Sequence, residues 1–342
     1  MRTIALRFSI TALIVLFCTI ACEAQDPHYT QFYANQPLLN PAFTGAGAGP
    51  RVSLNFRAQW VAIPGAYRQT ALAYDQRVWL GRTEHGLGVL LHSDIAGEGN
   101  LSKTDILFQY AYGIQFGRQR SPHYIRLGLS GGIQQTNIQF HKLRFSDQID
   151  PELGFVNATS EVAPPPRFKE DVNAGIAYYN KFAWVAFSVH HITQPNQAWL
   201  NPFATDARLP MRFTGTGGVR IPAGPMNNPE KVVISPAFLF MQQRRFNQLA
   251  LGSYLEIQPL VLGLWYRMNF NNGAGQFLQS DMIAALVGFK RGIFSIGYSY
   301  DFTISRLTNG ISGGSHEIAL VLEFEQSKKS KFKHRDTPCP RF

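Results

Sequence analysis

Thr104-Asp105-Ile106-Leu107-Phe108-Gln109-Tyr110-Ala111-Tyr112-Gly113-Ile114-Gln115-Phe116 decides the fold. Thr104, Ile106, Phe108, Tyr110, Tyr112, Ile114 and Phe116 fall on one side, and Asp105, Gln109 and Gln115 on the other. A period of two places alternate side chains on opposite faces of a strand. The run is longer than the usual strand of about 5–6 residues. The same pattern recurs from Arg51 to about Phe324: Val52, Leu54, Phe56, Ala58 and Trp60 against Arg51, Ser53, Asn55, Arg57 and Gln59, then Leu260, Leu262, Leu264, Tyr266 and Met268 against Gly263, Arg267 and Asn269. Near the end Phe294, Ile296, Tyr298, Tyr300 and Phe302 alternate with Ser295, Gly297, Ser299 and Asp301, and Ile318, Leu320, Leu322 and Phe324 with Glu317 and Glu323.

Composition separates a membrane barrel from other sheets. Aromatics reach 13%, charged residues only 16%, and mean hydropathy is −0.11. After residue 24 no apolar run approaches the roughly 18–20 residues a helix needs to cross a bilayer. Within lipid every backbone polar group must be paired, which for strands means a closed barrel. The reading is an all-β chain forming a transmembrane antiparallel β-barrel of about fourteen strands, an even number. These lie near 51–60, 67–80, 86–95, 103–117, 123–135, 172–180, 182–192, 212–222, 231–243, 246–257, 260–270, 280–290, 292–303 and 316–325. Asn180-Lys181, Gln243-Arg244-Arg245 and Arg291-Gly292 suit short periplasmic turns, and the longer connections 137–171, 194–211 and 270–279 face outward. A soluble β-sandwich shares the period of two and is the competing fold.

Arg2 and Arg7 ahead of the apolar stretch Ile10 to Ala21 make residues 1–24 a signal peptide cleaved after Ala24, so the chain is expected in the outer membrane. Acylation of Cys22 is the alternative. Cys18 and Cys22 lie in the leader, which leaves Cys339 unable to form an internal disulfide. The remaining division is an irregular segment 25–50, the barrel 51–325 and a basic tail 326–342 carrying Lys328, Lys329, Lys331, Lys333, His334 and Arg335. The tail is either solvated or a contact for anionic headgroups or an acidic partner. A net charge of +10 and pI near 9.6 come without any nucleic-acid recognition motif.

Several strings imitate chemistry. Gly128-Leu129-Ser130-Gly131-Gly132 matches a hydrolase elbow, but the alternation continues through Ile133, so Ser130 reads as a strand residue between close-packing glycines. His190 and His191 are neighbours in a strand and should face opposite sides, which argues against a metal site. Gly45-Ala46-Gly47-Ala48-Gly49 reads as a flexible joint. No catalytic residues, cofactor site or metal site are assigned.

The segment Gln25-Asp26-Pro27-His28-Tyr29-Thr30-Gln31-Phe32-Tyr33, followed by Pro37-Leu38-Leu39-Asn40-Pro41-Ala42-Phe43-Thr44-Gly45, does not alternate, and its prolines remove donors and fix φ. It resembles the opening of the PorP/SprF family of outer-membrane proteins of the Bacteroidetes type IX secretion and gliding-motility systems. Two further matches are Tyr300-Asp301-Phe302-Thr303-Ile304-Ser305 leading to Gly314-Ser315-His316-Glu317-Ile318-Ala319-Leu320, and Cys339-Pro340-Arg341-Phe342. The resemblance implies a non-enzymatic fourteen-stranded barrel, without cofactor, that helps export or anchor adhesin-like surface proteins or docks to the periplasmic machinery. Its implied partners are outer-membrane lipid, secretion components and secreted cargo. From the matched motifs Gln31, Phe32, Asn40, Pro41, Gly45, Ser315, His316 and Glu317 are candidate partner or plug contacts. The apolar Tyr29, Phe32, Tyr33, Leu38, Leu39 and Phe43 need burial, so segment 25–45 is expected to form a lumenal plug or a periplasmic latch. A plugged channel for small solutes is the alternative function, and an outer-membrane phospholipase a distant third.

Overall fold

The computed structural model describes residues 26, 28–81, 83–118, 121–198, 207–271, 279–305 and 308–324. The leader and the basic tail lie outside the described residues, as does the closing Cys339-Pro340-Arg341-Phe342.

Fourteen long strands form the wall: β1 Arg51–Gln59, β2 Tyr67–Leu80, β3 Thr83–Ala96, β4 Leu101–Arg118, β5 Ser121–Asn137, β6 Arg167–Tyr179, β7 Ala183–His190, β8 Arg212–Val219, β9 Val232–Gln243, β10 Phe246–Ile257, β11 Leu260–Asn271, β12 Gln279–Arg291, β13 Phe294–Thr303 and β14 Ser315–Glu323. Each pairs antiparallel with its chain neighbours, and β1 closes on β14 with Arg51 opposite Glu323 and Gln59 opposite Ser315. Closure leaves no long edge to satisfy in hydrocarbon. The expected strand 212–222 is interrupted: Arg220 donates its backbone N–H to the Phe182 carbonyl, and Ile221–Pro222 pairs separately with β9.

The alternation sorts as anticipated. Leu54, Phe56, Leu72, Phe108, Leu129 and Leu264 stand exposed on the outer face, whereas Ser53, Asn55 and Arg57 are buried within. An Arg or Lys on the lipid face near mid-membrane costs about 2–4 kcal/mol, which keeps these charges inside.

Strand direction gives the two ends different characters. β2 and β3, β4 and β5, β6 and β7, β10 and β11, and β12 and β13 are joined over two or three residues at the end where β1 starts, as are β8 and β9 by a longer link, whereas the widest gaps, between β5 and β6, β7 and β8, and β13 and β14, open at the other. Short turns mark the periplasmic side of such barrels, so the long-loop end is the outer one. The Gln243-Arg244-Arg245 turn is therefore not periplasmic: Gln243 pairs with Phe246 at the outer end, where Arg244 takes φ +52° to close the reversal.

The lumen is filled by the chain itself. Residues 28–50 run inside the barrel through a short helix α1, Gln36–Leu39, and a 3-10 turn, Pro41–Phe43. At the outer end Asp26 accepts from Gln243, Lys103 and His191. At the inner end the Ala48 backbone N–H donates to Glu323. The lumen is not wet throughout. Tyr254, Val261, Trp265, Met282 and Leu286 point inward from β10 to β12 and are buried in one apolar cluster with Tyr33 and Phe43.

Candidate functional site

Across four strands the wall presents a row with almost no side chain. Gly86 of β3 stands opposite Ala111, Ala111 opposite Gly128, and Gly128 opposite Gly175 of β6, which stands opposite Ser188 of β7. Asn40-Pro41-Ala42-Phe43-Thr44-Gly45 lies directly on this row. A Cβ built on Gly128 would lie 2.2 Å from the Ala42 nitrogen, and one on Gly86 would lie 1.8 Å from the Thr44 carbonyl oxygen. No side chain fits at those separations, so glycine is what allows the two backbones to approach.

Asn40 works at both ends of its amide. Its Oδ1 accepts from the Ala42 backbone N–H at 2.8 Å and caps the 3-10 turn. Its Nδ2 donates to the Phe187 and Ile176 carbonyls at 3.0 and 3.3 Å, which fixes the turn to β7 and β6. Pro41 begins the turn where a free N–H would be unused. Gly45 adopts φ +69°, and its N–H donates to Asp75 at 2.7 Å.

Two arginines gather the carbonyls of this stretch. Arg126 donates to Ala42 O at 2.9 Å and to Thr44 O, and Arg77 donates to Gly45 O, Ala46 O and, at 2.6 Å, Gly47 O. Glu84 pairs with both guanidinium groups. The Gly45–Gly49 stretch is thus clamped rather than a flexible joint, because its carbonyls face buried cations. Thr44 donates its hydroxyl to Gln109, which in turn donates to the Pro37 carbonyl.

A second polar centre holds residues 30 and 31. Glu317 of β14 accepts the Thr30 backbone N–H at 2.7 Å and that of Gln31 at 3.0 Å, while Thr30 donates its hydroxyl to Asp301. Arg57 completes the centre, 2.6 Å from Asp301 and 3.3 Å from Glu317. All three charged side chains are at most 2% exposed. Such burial is tolerable because each charge is paired and hydrogen-bonded. On the apolar side Phe32 meets Trp265 edge-on at 5.1 Å, and Tyr33 meets Tyr254 at 4.5 Å. Pairs of this geometry add roughly 0.5–1.5 kcal/mol beyond their area.

The outer latch is built on Asp26, whose side chain is 4% exposed. His191 lies 2.7 Å away, Lys103 3.2 Å and Arg212 3.4 Å. Burial alone would raise the Asp26 carboxyl, but these cations hold it well below the ordinary carboxylate range. For His191 burial acts to lower the pKa, yet Asp26 and Asp171 prevail and raise it. His190 and His191 both turn inward, against the expected opposition: β7 ends at His190, and a φ of +58° at His191 brings its ring round to Asp26. Among the described residues no group of three or more His, Cys, Asp or Glu could hold a metal.

Of the residues singled out from sequence, Gln31, Phe32, Asn40, Pro41, Gly45 and Glu317 lie together in the lumen. Ser315 shares the inner face of β14 with Glu317 and pairs with Gln59 across the closing seam. His316 stands apart, on the outer face, with its Nδ1 2.8 Å from the Tyr298 hydroxyl. Sequence reasoning marked Gly128 as a close-packing glycine but missed Gly86 and Gly175, together with Arg77 and Arg126. Inward-facing glycines in otherwise bulky strands were the available signal.

A plugged barrel with these motifs can be set beside known proteins. The family described as type IX secretion system membrane protein PorP/SprF matches residues 21–322. The chain belongs to the PorP/SprF family. It is therefore an outer-membrane β-barrel of a type IX secretion family. No curated protein matches. Among solved structures it is similar to Omp33 of Acinetobacter baumannii, at 6% identity and TM-score 0.41 over 82% of this chain and 100% of that one. It is also similar to the monoaromatic hydrocarbon channel CymD, at 12% identity and TM-score 0.45 over 86% and 93% of the two chains. The P. putida toluene transporter TodX gives 11% identity and TM-score 0.41 over 86% and 95%. Likenesses this distant say nothing about what a PorP/SprF barrel handles.

Proposed function

We propose that this PorP/SprF protein is a non-enzymatic outer-membrane accessory of type IX secretion that helps export or anchor particular surface proteins, with residues 25–50 acting as its lumenal plug. The observation that carries this reading is the seating of Asn40–Gly45 on the glycine row. That contact joins the segment carrying the family-like opening motif to the wall of the barrel. A plug fixed at both mouths connects the outer surface to the periplasmic end, where docking to the secretion machinery would be felt. Partners are an exported surface protein and secretion components.

Deleting the gene and comparing the secreted and surface proteomes tests this. Loss of one or a few large surface proteins, restored by the wild-type copy, is the expected result. An unchanged surface proteome with a growth defect on one solute would replace it with the plugged solute channel. Deleting residues 25–45 alone should change secretion, pore conductance or partner recovery, and no change in all three removes the plug from the function.

A further inference from the structure

The seat recognises its occupant through main chain, with the Asn40 amide and the Thr44 hydroxyl adding side-chain contacts. Arg77 and Arg126 hold five carbonyls of residues 42–47, Asp75 accepts the Gly45 N–H, and the glycine row demands backbone at van der Waals range. Little of this depends on the segment being joined to the barrel. Withdrawing it would strip the carbonyl acceptors from two buried guanidinium groups that share the carboxylate of Glu84. The site is therefore built to be filled by peptide.

Its present occupant also fits imperfectly. Beside Leu38, Leu39 and Pro41 a cavity of about 80 Å³ separates segment from wall, bounded by Leu90, Leu107 and His92. Within it the Asn35 amide, the Tyr29 hydroxyl and His92 Nε2 are buried without a hydrogen-bond partner in the structure. A buried polar group left unmet forfeits the hydrogen bonds it made to water. A segment that filled this space and met His92 would hold the seat more tightly than the native one.

From these features we infer that the glycine-row seat is a peptide-binding site that accepts a segment from another chain, displacing the plug. The ligand is a stretch of exported polypeptide offering Asn-Pro, a small residue, an aromatic, Thr and Gly in that order. Asn-Pro supplies the turn and the clamp to β6 and β7, the small residue passes over Gly128, and Gly supplies the positive φ beside Asp75. This rests on the plug reading above and adds to it the chemistry of what replaces the plug.

The test uses the full chain carrying Gly45→Val, because a Cβ at residue 45 meets Gln76 O at 2.6 Å and Gly86 Cα at 2.7 Å and so drives the native segment off the row. Asn40→Ala, which removes the clamp, serves as an independent second variant. Folding is followed by heat-modifiable gel mobility, release of residues 28–48 by hydrogen exchange, and binding by anisotropy of a labelled peptide of residues 36–48. The expected result is release in both variants, with the native peptide binding them about tenfold or more tightly than a scrambled peptide or than one carrying the Gly45→Val change, about 1.4 kcal/mol per factor of ten. Adding Gly128→Val to the chain should abolish that binding. If the segment is released but the native peptide binds no better than the scrambled one, the peptide-site inference fails and the plug reading stands. If neither variant releases the segment, both fail.

Discussion

Asn40 rests on Gly175 so closely that a Cβ built there would lie 2.0 Å from Asn40 Oδ1. Neither partner can yield, since Oδ1 caps the turn and Nδ2 binds two wall carbonyls. Gly175→Val is therefore expected to unseat the plug while leaving the β5–β6–β7 ladders intact. Single-channel recording in planar bilayers should show a rise in conductance over wild type. Unchanged conductance with unchanged exchange at residues 36–46 would contradict it.

The buried centre of Arg57, Asp301 and Glu317 should behave as a unit. Arg57→Met leaves two carboxylates facing each other without their cation, and breaking a buried pair in this way costs about 3–5 kcal/mol. Urea titration of the barrel in detergent should show a clear fall in midpoint. The double change Arg57→Met with Glu317→Gln should recover part of that loss, because it removes one uncompensated charge.

The outer latch should depend on pH on both flanks. His191 is raised, so its contribution is complete below the ordinary histidine value and is lost as pH rises through the raised one. Asp26 is depressed, so its contribution is present above the ordinary carboxylate value and is lost only as pH falls through the depressed one. Hydrogen exchange at residues 28–34 should therefore quicken, relative to the intrinsic rate, as pH rises above the ordinary histidine value. His191→Gln should flatten that dependence, leaving the Lys103 and Arg212 contacts to hold Asp26.

Phe32→Ala should loosen the plug without opening the wall. Deleting a packed Phe costs about 3–5 kcal/mol, and here the loss falls on a segment rather than on the strands. Trp265 emission should shift to the red as water reaches its ring, with the cooperative unfolding of the barrel left in place. By contrast Leu264→Arg, on the outer face of the same strand, should weaken folding into vesicles by about 2–4 kcal/mol with the plug still seated.

Period-two patterning was legible because each strand of the wall has lipid on one side, which leaves Leu262, Leu264 and Tyr266 little choice of character. What could not be read was the far side. The filled lumen is polar at Arg57 and apolar at Trp265, according to what fills it. Trp265 and Val261 look out of pattern until Phe32 and its neighbours are placed against them. The glycines of the seat show in the pattern only as inward positions without a side chain, since what makes them necessary is backbone distant in sequence. The family motif pointed to Asn40, Pro41 and Gly45 without saying what they touch, and the end of the barrel that holds each turn follows only from counting strands through the whole chain.

Thr30 and Gln31 reach Glu317 on the last strand, and Thr30 also takes a hydrogen bond from Arg57 on the first. The two strands that meet to complete the ring are thus bridged from inside by residues that precede both of them. A nascent barrel carrying this segment already holds the template for its own final seam: the correct stagger of β1 on β14 is the one that brings Arg57 and Glu317 together on Thr30. Slippage of one strand by a single position would turn its charge toward the hydrocarbon and leave the other without its partner.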